Sequence, residues 1–315
     1  MKPTFNILVT GCGGDIGQSI GKILNESPYV NKLYGCDISD KNAGQFIYRN
    51  FSLGLRFSDK NYLNSLEKFV INQNIDVIIP VSEPELRFFS KENVLSQIGG
   101  AKLITASSVA LEIGFDKLKT ANFLKENGLP FPVSNKIADV ERVERFPVVL
   151  KSKTGSGSSE VHLVKDMKSF EFIKAGNPEF IVQEYLNEGE GEFTCGVFRS
   201  KKGVLRTMIL KRELMGGFSG YGEVVENQQI NKLLAAIAEK LTLVGSINVQ
   251  LRITQKGPVV FEINPRFSST VRFRQMLGFN DLEWSLEDRL ALSLSEYADT
   301  AIGKTFYKGF NEYIS

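Results

Sequence analysis

The stretch FEINPRFSST, Phe261 to Thr270, reads as the end of an apolar strand that has been interrupted. Val259, Val260, Phe261 and Ile263 are strand formers, yet Glu262 and Asn264 alternate with them and Arg266 follows at once. A strand that only fills a core gains nothing from a carboxylate and a carboxamide, because burying them without partners costs free energy. The segment before it, SINVQLRI (Ser246 to Ile253), is also strand-like, and Gln255-Lys256-Gly257 supplies a turn. Pairing Thr254 with Pro258 predicts a hairpin with Gln250 opposite Glu262 and Asn248 opposite Asn264. Side chains alternate along a strand, so these four share one face and Val249, Leu251, Phe261 and Ile263 share the other. One carboxylate with a few carboxamide oxygens suits a hard cation such as Mg²⁺, which keeps waters and takes few protein charges beside substrate phosphates. A polar, solvent-facing hairpin is the plain alternative, and the hairpin alone does not separate the two.

A second feature bears on that choice. VVLKSKTGSGSSEV (Val148 to Val161) places Lys151 at a strand end, then Gly155, Ser156, Gly157 and Ser158. Such a run lets backbone N–H groups close on an anion, with hydroxyls nearby. It is not a Walker A loop, since Gly-Lys-Ser/Thr is missing and a strand follows where that motif needs a helix. A flexible hairpin turn is the alternative here.

Around these two features the chain changes character. Its first part alternates: strand FNILVTG from Phe5, helix DIGQSIGKILNE, strand KLYGCD ending at Asp37, helix YLNSLEKFVINQN, strand IDVIIPV (Ile75 to Val81), helix EPELRFFSKENVLSQIG and strand AKLITAS. That order predicts an α/β unit with a doubly wound parallel sheet over residues 1–110. Residues 111–315 read differently. After a helix stopped by Gly128 and Pro130 come paired strands: FPVVLKS with SEVHLVKD, FIVQEYL with EFTCGVFRS, and VLRTMILK. A helix, NQQINKLLAAIAEKL, leads into the hairpin, so this part is predicted as α+β with antiparallel sheets.

Composition narrows the function classes. The 315 residues are 42% apolar and 23% charged, with a formal charge of +2, ordinary for a globular protein with no pull toward nucleic acid. No stretch approaches a membrane span and no signal-peptide pattern opens the chain, so the expected location is the cytoplasm. The three cysteines, Cys12, Cys36 and Cys195, are too scattered for a disulfide framework or CxxC site. The one histidine, His162, excludes a histidine-built zinc site and leaves little room for a Ser-His-Asp hydrolase.

GCGGDIGQSIG after the first strand, with Asp37 beyond it, imitates a dinucleotide fingerprint and makes an NAD(P)-dependent oxidoreductase or sugar epimerase the rival reading. The spacing from Gly11 is GxGxxxG, so glycines that pack strand against helix are the preferred explanation. The loop PVSEPEL should line the carboxyl end of the sheet, which makes Ser82, Glu83 and Glu85 candidates for reading a substrate amine or hydroxyl.

Taken in order, Lys117 in FDKLKT, VVLK with its glycine-serine loop, FIVQEYL, GEGEFT, Gln250 and FEINPR resemble the ATP-grasp superfamily, in its carbamoyl phosphate synthetase large-subunit type. The resemblance covers nearly the whole chain. It implies a pre-ATP-grasp domain over 1–110, then an ATP-grasp domain over 111–315 with a small lid at about 115–186 and a larger subdomain at about 187–315. Lys117 and Lys151 match the residues that hold ATP phosphates, together with Gly155, Ser156, Gly157 and Ser158. Glu184, Tyr185 and Leu186 match the adenine hinge, and Glu192 the ribose acceptor, with Glu190 as a substitute. Gln250, Glu262 and Asn264 match the ligands of Mg²⁺ or Mn²⁺, and Arg266 the residue beside an acyl-phosphate. Arg212 resembles a substrate-side or phosphate-side residue. Ser268, Ser269 and Thr270 stand where many relatives have glycines, and Arg272 and Arg274 after them either bind an anionic substrate or cap a surface helix. The activity implied is an ADP-forming ligase joining a small carboxylate to an amine, a thiol or another nucleophile. An inactive nucleotide-binding module is the remaining alternative. The sequence permits a homo-oligomer without specifying one.

Overall fold

Three sheets follow one another along the chain. The computed structural model describes residues 3–155, 161–187, 189, 191–298 and 301–314. The first sheet has β1 (Phe5–Thr10), β2 (Val30–Asp37), β3 (Asn50–Leu53), β4 (Val77–Pro80), β5 (Gln97–Ile98) and β6 (Ala101–Leu103), in the order β3-β2-β1-β4-β6-β5. All its pairings are parallel except β5 with β6 at the edge. The helices among these strands are α1 (Asp15–Leu24), α2 (Gly44–Ile47), α3 (Tyr62–Asn72) and α4 (Glu83–Lys91). Ile7, Leu8, Val9, Val77, Ile78 and Ile79 are fully buried, as expected for strands covered on both faces. The helix expected over 83–99 stops at Lys91; α2, β3 and β5 are too short to carry a periodic signal.

The glycine loop after β1 is closed on the chain's own atoms. Asp37 Oδ2 accepts the Gly13 N–H at 2.8 Å, and a Cβ on Gly17 would meet Gly11 O at 2.4 Å and Cys12 Cα at 2.6 Å. Gly17 is therefore glycine because α1 lies against the backbone of β1's exit. Asp37, which a dinucleotide enzyme would turn to a ribose, is spent on the loop itself.

The chain continues through α5 (Ser108–Gly114) and α6 (Lys117–Glu126) into an antiparallel sheet of β7 (Ser134–Lys136), β8 (Val148–Ser152), β9 (Val161–Val164) and β10 (Phe180–Glu184), ordered β7-β10-β8-β9 with α7 (Met167–Gly176) packed on it. Asp116 caps α6, its carboxylate accepting the N–H groups of Leu118 and Lys119. The third sheet, also antiparallel, contains β11 (Glu192–Arg199), β12 (Leu205–Met215), β13 (Phe218–Val224), β14 (Gly245–Thr254), β15 (Gly257–Asn264) and β16 (Thr305–Tyr307), ordered β15-β14-β11-β12-β13-β16. Here the pairing of FIVQEYL with EFTCGVFRS is corrected: β10 pairs with β7 and β8, while β11 pairs with β12 and β14. The short connection between them suggests a hairpin but instead passes from one sheet to the next. Helix α8 (Gln228–Lys240) covers the third sheet. Phe267, Val271, Leu282 and Leu286, from α9 (Val271–Met276), α10 (Asp281–Arg289) and the segment before them, pack into the core of the first sheet. No helix among the described residues is long and apolar enough to cross a membrane.

A buried ion pair lies behind the hairpin. Arg274 Nη2 donates to Asp281 Oδ2 at 2.8 Å, both side chains being almost wholly buried. Ser246 Oγ donates to the same oxygen at 2.5 Å. Removing one partner strands a charge in the interior. Asp281→Ala is expected to cost about 3–5 kcal/mol in urea unfolding, whereas Arg274→Met with Asp281→Leu should cost less than the single change.

Candidate functional site

The β14–β15 hairpin brings the opening residues together by a route the regular pairing misses. Thr254 pairs with Gly257, one step off the expected register, and a bulge at Phe261 restores Gln250 opposite Glu262 and Asn248 opposite Asn264. The bulge also changes which residue enters the core. Val260 is buried beside Leu251, and Phe261, expected on the core face, is only half-buried, with its ring 5.6 Å from Lys151 Nζ.

Lys151 lies on β8, opposite the hairpin, and is 5% exposed rather than a surface strand end. Its ammonium donates to Phe261 O at 3.4 Å. Burial pushes its pKa down to about 8; Glu262 and Glu192 oppose the shift and Lys117 adds to it. Lys117, at the first turn of α6, places Nζ 3.9 Å from Glu262 Oε1 and donates to Gly155 O at 2.7 Å. Burial likewise lowers the Arg266 pKa, against the pull of Glu83 and Glu262. Its guanidinium donates to Phe267 O at 3.0 Å. Lys117 thus approaches Glu262, and Lys151 and Arg266 both feel its charge, a concentration of positive charge that the hairpin's own residue types do not foretell. Ser156, Gly157, Ser158 and Glu190 lie outside the described residues.

On the next strands, Glu192 stands in register between Arg212 and Arg252. Arg212 reaches Glu192 Oε1 at 2.5 Å and Gln250 Oε1 at 3.0 Å; Arg252 reaches Glu192 Oε2 at 3.1 Å and Leu186 O at 2.9 Å. Arg252 is not among the residues expected from the sequence. It sits two positions after Gln250 on the same strand, a period-two signal that could have found it. Glu184 ends β10, where its backbone N–H donates to Val133 O and its side chain accepts the Val133 N–H at 3.2 Å. Leu186 is buried and Tyr185 half-buried beside it.

The other candidates separate. Glu83 accepts the Gly155 N–H at 3.2 Å, and Ser82 precedes it at the start of α4. Glu85 turns into the α/β interior instead, accepting from Thr10 Oγ1 at 2.7 Å and from Tyr62 OH. Arg272 pairs at the surface with Glu26 at 2.8 Å. Arg274 is the buried partner of Asp281 and also donates to Asn248 Oδ1 at 3.3 Å. Neither arginine faces an anion in the cleft.

No group of three His, Cys, Asp or Glu side chains among the described residues could hold a metal. A cation beside Glu262 and Asn264 would therefore meet one protein carboxylate. Glu262 is partly exposed and suited to it; Gln250 Oε1 is already engaged by Arg212.

Residues 115–270 match the ATP-grasp domain family. That segment is an ATP-grasp domain. It is 27% identical over 259 residues to a probable alpha-L-glutamate ligase of Methanococcoides burtonii, covering 75% of this chain and 81% of that protein. It is 25% identical over 244 residues to the carbamoyl phosphate synthase large chain of Thermoplasma acidophilum, covering 68% of this chain but 23% of that one. An uncharacterized Mycoplasma pneumoniae protein is 29% identical over 137 residues, 43% of this chain and 45% of its own length. The chain thus spans less than half of two of these three relatives. The crystal structure of an ADP complex of PurK, N5-carboxyaminoimidazole ribonucleotide synthetase, superposes with a TM-score of 0.74 at 18% identity, over 95% of this chain and 80% of that one. The fold is therefore an α/β domain followed by an ATP-grasp domain with antiparallel sheets, as the sequence predicts.

The burial of Lys151 has a measurable sign. Below pH 8 the ammonium is charged in both the folded and unfolded chain, and the full cost of burying it is present. As pH rises from there toward the ordinary lysine value of about 10.4, the folded chain sheds its proton first and the cost is relieved. Lys151→Met is expected to raise the melting temperature at pH 7, and thermal melts should show that gain shrinking by about pH 9.5.

Proposed function

We propose that this protein is an ATP-dependent ligase that joins a small carboxylate to an amine, or to a thiol or other nucleophile, through an acyl-phosphate. The observation that carries the reading is the meeting of Lys117, Lys151 and Arg266 around Glu262. Glu262 is the near carboxylate not already paired with an arginine, since Glu192 is taken by Arg212 and Arg252 and Glu83 by Arg87, so the three cations leave an excess of positive charge that a polyphosphate would neutralise. ATP would lie with adenine at Glu184 to Leu186, the ribose at Glu192 and the phosphates toward the two lysines. Arg266 would orient the acceptor carboxylate, whose oxygen attacks the γ-phosphorus as the bond to the ADP oxygen breaks. The nucleophile then adds to the acyl carbon, phosphate leaves, and the amine or thiol proton passes to solvent. Positioning and electrostatic stabilisation supply the rate, with little covalent chemistry asked of the chain. Mg²⁺, or Mn²⁺, held by Glu262 and Asn264 with Gln250 beside them, would supply further charge neutralisation on the phosphates. A cytoplasmic place goes with this reading.

The dinucleotide reading is disfavoured by the loop whose N–H is taken by Asp37. The inactive-module reading is disfavoured by the presence of Lys151, Glu262, Asn264 and Arg266 together. Thermal-shift titration should give a rise with Mg-ATP and none with NAD or NADP; the reverse pattern would overturn the proposal. In assays of ADP release with pooled carboxylates and amines, Glu262→Gln should lower turnover by about a hundredfold or more. Its melting temperature should change by only a few degrees, because the side chain keeps its shape while Lys117 and Lys151 lose counter-charge.

A further inference from the structure

Three segments distant in sequence close a ring at the mouth of this site. Arg87 donates from Nε and Nη2 to Glu83 Oε1, at 3.0 and 2.7 Å, one turn apart on α4. Arg87 Nη2 also donates to Phe115 O, and its guanidinium lies 4.7 Å from the Phe115 ring centroid. Phe115 is 6% exposed and part of the largest core cluster, so this end of the ring is rigid. Two residues on, the Lys117 N–H donates to Lys153 O at 2.9 Å, and Lys117 Nζ to Gly155 O at 2.7 Å. The Gly155 N–H closes the circuit on Glu83 Oε1 at 3.2 Å.

A helical ion pair one turn apart needs nothing from elsewhere to form. What requires a reason is that Glu83 Oε1 also takes a backbone N–H from a segment 72 residues away. Gly155 has φ +89°, and among the described residues no atom beyond its chain neighbours lies within 4 Å of where its Cβ would be. Among the described residues, what holds Gly155 in place is its two backbone polar groups. One is satisfied by Glu83 and the other by Lys117. Moving Gly155 moves the acceptor that fixes the Lys117 ammonium, 3.9 Å from Glu262.

We propose that Glu83, on the α/β domain, is a positioning residue for the nucleotide phosphates bound by the ATP-grasp domain: it anchors Gly155, and through Gly155 the Lys117 ammonium. The proposal rests on the ATP reading above. It replaces a direct role for Glu83 in reading a substrate amine. The charge of Glu83 is secondary, since Arg87 already balances it; the function is to accept one N–H at a fixed place.

Calorimetric titration with Mg-AMP-PNP and, separately, with AMP tests this on the full chain. Glu83→Ala is expected to weaken Mg-AMP-PNP binding about tenfold or more while leaving AMP, which is too short to reach Lys117, within about twofold. Glu83→Gln keeps an oxygen acceptor for Gly155 and should stay within about threefold of wild type for both ligands. Glu83→Asp keeps the charge but falls one methylene short, and should behave as Glu83→Ala; it serves also where the alanine variant does not fold. Wild-type AMP-PNP affinity in Glu83→Ala or Glu83→Asp overturns the proposal. So does an equal loss of both ligands, or failure of the glutamine to restore binding. If the wild-type protein binds no AMP-PNP, the ATP reading itself falls.

Discussion

Everything at the site depends on one local irregularity, the bulge at Phe261. A strand side chain must go to one face or the other, and the β14–β15 pair has to satisfy two demands at once. Near the turn, Val260 and Leu251 must enter the core. Further along, Glu262 must face the cleft while Ile263 returns to that core. The extra residue lets the strand bend and re-aim its side chains without breaking the ladder on either side. Phe261 itself becomes the lining beneath Lys151, contributing a carbonyl and an aromatic face to an ammonium that has lost most of its water.

That desolvation sets the electrostatics. Lys151 and Arg266 both have pKa values lowered chiefly by burial, and Glu262 acts against the shift in both. A folded protein stabilises such an arrangement only if the rest of the core can offset the cost, or if an anion arrives. The few carboxylates nearby are also committed. Glu192 is shared between Arg212 and Arg252, and Glu83 between Arg87 and Gly155. Positive charge is left over where a phosphate chain would lie. Repulsion between Lys117 and Lys151 is therefore held in the ligand-free protein and relieved on binding, which makes affinity for a polyanion steep in charge.

Much of this was legible from residue types in order. The α/β alternation and the hairpin that pairs Gln250 with Glu262 follow from period and spacing, whereas the placing of Lys117 and Lys151 near them comes only through the resemblance to the ATP-grasp superfamily. The paired helix candidates that turned away from the cleft did so for a common physical reason. Glu83 and Glu85, like Arg272 and Arg274, are two positions apart on helices, and residues so spaced do not share a face. Only one of each pair could have faced the cleft; Glu83 does, Glu85 is buried against Thr10 and Tyr62, and neither arginine does. A polar residue type says that a partner is needed but not on which side it will be found. The β10–β11 connection failed differently: a short link between two strands is most simply a hairpin, and only the edges already occupied by β8 and β14 forbid it.

The same logic explains why the polar network around Arg274 lies where it does. Asn248 stands opposite Asn264 and accepts from Thr194 at 3.0 Å as well as from Arg274. Ser268, two residues beyond Arg266, accepts from the same guanidinium at 3.3 Å. Gly196, with no side chain, leaves room for it, since a Cβ there would come within 2.8 Å of Arg274 Cδ. Asn248, Ser268 and Asp281 come from β14, the loop after β15 and α10, so one planar, five-donor group ties three elements together with directional bonds. An apolar side chain of similar volume could fill that space, but it could not fix the rotation of Asn248 or the path of the chain just after Arg266. Buried polarity at this point is a constraint on geometry more than a source of stability. The hairpin residues that face the cleft inherit their placement from it.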